Sequence, residues 1–466
     1  MKDQSISAPR TIPWRLLTTL AVTSLLSFTP VLRAADSSYV AHEWGTFTSI
    51  QGSDGVLLDW NGSATDDLPE FVYNWSRPGL RRWFDLGPAK GGLYGLQRME
   101  TPVIYFYPEK PMSVDVTVDF PKGRITEWFP QARDIGPSTY VPNPILTALD
   151  SSAIRVGLHS NPTLAARIGD KPITNSVIRW SGFNLVPAKS KPELIRQLPV
   201  AQKASHYFAA RVTESAFVRV DSMERTNSAP DVEKFLFYRG VGTFQTPLKV
   251  TISDQKQITL ANTGGATLRH LFALKVHGDR ASFTPLGNLG PSQIREPRVD
   301  LAQQGGPLTE TAAQLSKQMA DALESEGLYR AEAEAMVGTW RDAWFEEQGV
   351  RILYVLPRVW TDQILPITLD PQPRELVRVM VGRSELITPG MEAQVRECVT
   401  RFRQSDPGAK HAAVRGLQAM KLGRFATAAV RFVAGRMKDQ AFSKAASDLI
   451  QAAAAPQPAS ATLSSL

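Results

Sequence analysis

Three short segments set a glutamate beside an aromatic residue or a proline. They are His42-Glu43-Trp44-Gly45-Thr46-Phe47, Met99-Glu100-Thr101-Pro102 and Thr126-Glu127-Trp128-Phe129. Carboxylates next to indoles suit sugar chemistry. A glutamate can protonate a leaving oxygen or stabilise an oxocarbenium-like transition state, and a tryptophan face offers the sugar an apolar platform. Glu43, Glu100 and Glu127 are therefore the candidate catalytic residues. His42, Trp44, Trp128 and Arg239 are the candidate ligand-binding residues. Trp60, Trp75, Trp83 and Trp180 extend the same tryptophan-rich region. The competing reading is structural: the tryptophans fill a sandwich core, and the glutamates sit at strand ends bound to backbone or arginine. Arg239 follows the apolar run Phe235-Leu-Phe-Tyr238 and is expected to hold Glu43 or Glu100.

Other chemistries have thinner support. His42-Glu43 suggests a metal-dependent hydrolase, but His206, His270 and His277 are scattered singly. No HExxH and no paired-cysteine spacing occurs, so no metal ligand is assigned and no cofactor is expected. Serine catalysis lacks its G-x-S-x-G elbow. Gly240-Val-Gly242 and Gly264-Gly265 lack the Lys-Ser/Thr of a phosphate loop and read as turns. The single cysteine, Cys398, allows no intrachain disulfide. It falls in helical step with Met391, Val395 and Phe402 and is expected to pack as a small hydrophobe.

The elements that must position these residues are mainly β, with α additions. From residue 35 to about 300 the chain is β-rich and sandwich-like, with Val-, Ile-, Thr- and aromatic-rich runs between Gly, Pro, Asn and Asp clusters. Ser113 to Phe129 reads as a hairpin turning at Pro121-Lys122-Gly123. Residues 301–387 hold an inserted helix pair, capped at Thr309 and separated by Gly327, and then strands that return to the β body. Met336, Trp340 and Trp344 recur every four residues and read as a core stripe. Residues 388–451 read as a C-terminal cap of HEAT-like helices, opened by Thr388-Pro389 and punctuated by Pro407-Gly408, Gly423 and Gly435. Residues 452–466 read as a disordered tail.

Charge and the N-terminus bound the setting. The 52 basic and 45 acidic residues give a formal charge of +7, spread along the chain, which is not a nucleic-acid footprint. Lys2, Arg10 and Arg15 precede an apolar run from Leu16 to Leu32, and the small residues Ala34 and Ala35 follow. That order predicts a signal peptide over residues 1–34, cleaved after Ala34. No later apolar run reaches the length of a span, so no stable transmembrane segment is expected after cleavage. The expected location is the periplasm or cell surface, and the expected partner is a polysaccharide or an envelope protein.

These segments also carry a resemblance. HEWGTFTSIQGSDG (His42 to Gly55), RMETPVIYFY (Arg98 to Tyr107), ITEWFPQA (Ile125 to Ala132), FLFYRGVG (Phe235 to Gly242) and TWRDAWFEEQGVRILYVLPR (Thr339 to Arg358) resemble a group of exported bacterial proteins, largely from Planctomycetes and related environmental lineages. The resemblance implies an exported bacterial setting and a one-piece architecture. It transfers no catalytic residue.

Three functions are thus expected, in order. The first is an exported protein that binds, and in one form processes, a glycan or cell-wall polymer. The second is a non-catalytic structural or assembly component of the envelope. The third is a metal-dependent hydrolase using His42 with Glu43.

Overall fold

In the computed structural model, residues 39–62, 68–74, 93–136, 175–221, 229–302 and 305–454 are described. The expected signal segment, Trp75, Trp83 and the tail beyond Ala454 lie outside the described residues. The longer strands run, in chain order, β1 (Tyr39–Gln51), β2 (Gln97–Pro108), β3 (Met112–Phe120), β4 (Gly123–Phe129), β5 (Ser176–Val186), β6 (Phe217–Val220), β7 (Leu236–Gly242), β8 (Leu248–Ile252), β9 (Ile258–Asn262), β10 (Leu268–His277), β11 (Arg280–Leu289), β12 (Gly349–Val355), β13 (Ile367–Asp370) and β14 (Glu375–Leu386). The α-helices are α1 (Leu308–Ser325), α2 (Arg330–Arg341), α3 (Arg358–Ile364), α4 (Pro389–Phe402), α5 (Pro407–Ala419), α6 (Ala426–Met437) and α7 (Gln440–Ala454). The architecture is mainly β with helical additions, as the sequence predicts.

A ten-stranded sheet forms the centre, in the order Gly306–Pro307, β11, β10, β12, β14, β1, β2, β7, β4, Tyr73–Asn74. Its middle pair, β1 and β14, is parallel; β1 and β2 are antiparallel. A six-stranded sheet runs Asp231–Glu233, β6, β5, β3, β13, with Asp134–Gly136 also on β5. β8, β9 and Ile294–Arg295 make a small third sheet.

β1 is buried along its whole length because both faces of the central sheet are covered. On one face lie the six-stranded sheet and α3: Trp180 of β5 meets Tyr238 of β7, and Trp360 of α3 meets Phe47 of β1. On the other lie α2, the 3-10 turn His206–Arg211 and the C-terminal helices. A strand covered on both sides must have its charged side chains paired internally, and this condition governs the candidate site.

β3 shows the alternation of an outer sheet: Val114, Val116, Val118 and Phe120 are buried, while Ser113 and Asp115 are exposed. The predicted hairpin over Ser113 to Phe129 is corrected here. β3 pairs with β5 and β13, whereas β4 pairs with β7 and Tyr73–Asn74, so the two strands belong to different sheets. Both turn apolar side chains into the space between the sheets, and the chain rounds a corner to reach it. Gly123 sits at that corner, where a Cβ would lie 2.2 Å from the Phe120 ring.

The helix pair enters between Gly306–Pro307 and β12, two strands of the same sheet. Helix α1 starts at Leu308 with Pro307 as its N-cap, so Thr309 lies inside the first turn and does not cap it. Met336, Trp340 and Trp344 are all buried, as a core stripe requires. Thr388 does cap α4: its hydroxyl accepts from the Met391 N–H at 3.3 Å. Gly435 is no break, since α6 runs through it. The chain turns instead at Lys438, which takes a left-handed conformation at φ 49°. Helices α4 to α7 enclose their own core of Val395, Val399, Leu417, Val430, Phe442 and Leu449, and Ile50, Leu58 and Trp60 pack into it. Cys398 borders that core half-buried, and burial raises its thiol pKa. Among the described residues, no helix is long and apolar enough to cross a membrane.

Candidate functional site

Strand register divides the candidate residues between the two faces of the central sheet. Neighbours along β1 point opposite ways, so His42 and Trp44 face the helices while Glu43 faces the six-stranded sheet. A bulge in β2, with Thr101 at φ 46°, falls opposite the Trp44–Thr46 step and leaves Glu100 across from Thr46 on the helix side. Arg239 of β7 and Glu127 of β4 are direct cross-strand neighbours.

On the inter-sheet face, Glu43 is fully buried. Arg378 of β14 donates to it from Nε at 2.5 Å, and Tyr238 donates its hydroxyl to the other carboxylate oxygen. Arg378 Nη1 continues to Asp362 of α3 at 2.7 Å, and Arg358 Nε reaches Asp362 at 2.9 Å. This chain of charges joins β1, β7, β14 and α3 across the inner layer. Burial and the Glu43 charge both push the Tyr238 hydroxyl well above its usual pKa, so it acts here as a donor.

The helix face holds a longer network. Arg424, from the 3-10 turn Gly423–Phe425, donates to Glu100 at 2.9 Å, and its Cζ lies 5.4 Å from the Trp60 ring centre. Arg383 of β14 reaches Glu347 and also Glu385, the latter at 2.9 Å. Arg351 of β12 meets Glu385 at 3.0 Å and donates to the Trp344 carbonyl at 3.0 Å. Burial opposes the charge on Glu100, but Arg424, Arg98 and Arg383 outweigh it and hold its carboxyl at about 2, against 4.5 for an ordinary glutamate. Glu127 and Glu347 are held low in the same way, Glu127 by Arg239 and Glu347 chiefly by Arg383 and Arg424.

Several expectations change. Among the described residues, no open groove holds Glu43, Glu100 or Glu127 beside an exposed tryptophan. Glu43 and Glu100 are buried on opposite faces of one sheet, and Glu127 keeps 19% of its side-chain surface in a two-point pair with Arg239. Trp44, Trp60, Trp128 and Trp180 are all buried. Arg239 holds Glu127, its opposite number in the ladder, and not Glu43 or Glu100.

His42 and Glu43 do not act together, because alternation sends them to opposite faces. The carboxylate that meets His42 is Glu332 of α2, which accepts from Nδ1 at 2.7 Å, from the Tyr107 hydroxyl at 2.7 Å and from the Tyr329 N–H at 2.8 Å. The carboxylate fixes the orientation of the imidazole through Nδ1. The Tyr329 and Tyr107 rings pack against the imidazole, with centroids 4.5 and 5.5 Å from its own. Among the described residues, no group of three His, Cys, Asp or Glu side chains is placed to hold a metal ion.

Sequence reasoning missed Glu332, Arg424, Arg383 and Arg378. One signal was available for Glu332: it is a glutamate three residues into a helix start, the N3 position from which it accepts the Tyr329 N–H.

The space left open lies elsewhere. A groove of about 770 Å³ separates the β body from α4 and α5, lined by Lys256 and His277 on the body side and by Gln394 and Arg401 of α4 and Lys421 of the turn after α5. No protein-family model matches the chain, and no curated protein matches it either.

Proposed function

We propose that the chain is an exported, non-catalytic assembly component of the cell envelope, in which the β body is a platform for the C-terminal helices. One observation carries the reading: Glu43, Glu100 and, among the described residues, the indoles that glycan chemistry would draw on are packed inside, Glu127 is paired with Arg239, and Glu100 fastens the helices to the body through Arg424. A glycan hydrolase would need one of those glutamates accessible to a sugar ring. Export rests on the basic, apolar and small-residue order of the first 35 residues, and on the resemblance to exported bacterial proteins. The groove between body and helices is the seat for an envelope partner, a polymer strand or a protein segment.

The test uses the whole chain in its own cell. A photo-crosslinking side chain placed at Gln394 or Lys421 should give one dominant adduct with an envelope component, and the same group at the exposed Val359 should not. The reading fails if purified wild-type protein releases reducing ends from cell-wall polymers and Glu127→Gln abolishes that release while the fold is kept.

A further inference from the structure

The excursion between β5 and β6 carries a surface that the proposed platform role does not use. Its inner side is anchored. Leu194 sits with Val186, Phe217 and Val232 in a small cluster of their own, and Tyr207 and Arg211 both bind the buried Glu233. Arg211 Nη1 also donates to the Pro199 carbonyl at 2.9 Å, which ties the two halves of the excursion together.

Its outer side is apolar and basic. Ile195, Val200 and Val212 are 62%, 87% and 72% exposed, three of the eight large hydrophobic residues exposed among the described residues. All three fall within one short stretch, so this is a local concentration and not the ordinary scatter of single apolar residues over a surface. Around them stand Lys189, Lys191, Arg196 and Lys203, all exposed and, among the described residues, in no ion pair, against two exposed acids, Glu193 and Glu214.

We infer that this excursion is a docking surface for an anionic phospholipid bilayer. Protruding aliphatic side chains need an apolar acceptor, and the cations around them need a negative plane. The boundary between headgroups and acyl chains offers both at the required depth. Nucleic acid offers no aliphatic acceptor, and the exposed side chains include no aromatic platform on which bases would stack. The buried Leu194 and the Glu233 contacts anchor the excursion's backbone, so little backbone ordering is needed on contact. The inference rests on the envelope reading only for the compartment in which the protein meets a membrane.

The experiment is co-sedimentation of the full mature chain with vesicles of phosphatidylcholine alone, and with vesicles of phosphatidylcholine and phosphatidylglycerol in equal parts. Binding to the anionic vesicles is expected to exceed binding to the neutral ones by roughly tenfold and to weaken with salt. Val200→Ser with Val212→Ser, and separately Lys189→Glu with Arg196→Glu, should each lower that binding by roughly tenfold while the melting temperature holds. Equal recovery with and without vesicles overturns the inference, as does binding that neither pair of substitutions changes. Concentration-dependent self-association that the serine pair removes, with no vesicle binding, assigns the patch to a second copy and also overturns it. Vesicle binding is independent of the crosslinked partner, so failure of one leaves the other standing.

Discussion

The two faces of β1 solve one problem in two ways. Both bury glutamate beneath covering layers, and both answer it with arginine. On the inter-sheet face the answer is local and closed: Glu43, Arg378, Tyr238 and Asp362 lock β1, β7, β14 and α3 into one slab. On the helix face the charges run outward to Arg424, so the network fastens a separate helical cluster to the sheet. The same ion-pair chemistry is internal bracing on one side and a clamp between two bodies of structure on the other. A buried ion pair often adds little against a well-packed apolar substitute, but losing one partner is costly. The two faces should therefore fail differently when broken.

The largest effect is expected from Glu43→Ala. It leaves Arg378 buried with Asp362 as its one remaining carboxylate, and the loss should be about 3–5 kcal/mol. Chemical denaturation followed by fluorescence and by far-UV dichroism should show both signals shifting together. If the helices are lost first, the inter-sheet network is not internal bracing.

Arg424→Ala should cost about 2–3 kcal/mol, because Glu100 keeps Arg98 nearby. Hydrogen exchange should show α4 to α7 losing protection ahead of β1. Uniform loss along the chain would erase the distinction between clamp and brace.

Acid should separate the faces through Glu100. Its folded-state pKa lies below the unfolded one, so its contribution is complete above about pH 4.5 and is lost as pH falls toward about 2. On the order of 3 kcal/mol should disappear over that window, and Glu100→Gln should flatten the pH dependence of unfolding there. An unchanged acid profile in the variant would remove Glu100 from the clamp.

Smaller effects refine the picture. Gly52→Ala would put a Cβ 2.3 Å from the Phe432 ring, and shifting that ring should cost about 1–3 kcal/mol. Thr388→Ala removes the α4 cap and should cost about 1 kcal/mol. Both should lower the melting of the helical cluster without weakening the sheet, a difference that calorimetry can read.

The opening segment HEWGTFTSIQGSDG was legible as important but not for its chemistry. Its first half is the central strand. Its second half is a cradle for the helices: Ile50 enters their core, Ser53 donates its N–H to Glu392, and Asp54 meets Arg436. Periodicity found the tryptophan stripe of α2 and the turn that follows it, because helical spacing is a local property. It also found β3 and β4, yet it could not assign them to separate sheets, since pairing depends on partners distant in sequence. The arginine partners were illegible for the same reason: Arg424 lies 324 residues from Glu100. Burial of Glu43 follows from a sheet covered on both faces, which no strand reveals alone.

The parallel contact between β1 and β14 has a consequence for the order of events in the cell. Glu43 and Arg378 stand 335 residues apart, with nearly the whole body of the protein between them. Among the described strands β1 is the first in the chain and β14 the last, so the centre of the sheet closes only when both are present, and a topology so dominated by distant pairings is slow to form. Until then the chain is open along the line that will become its centre.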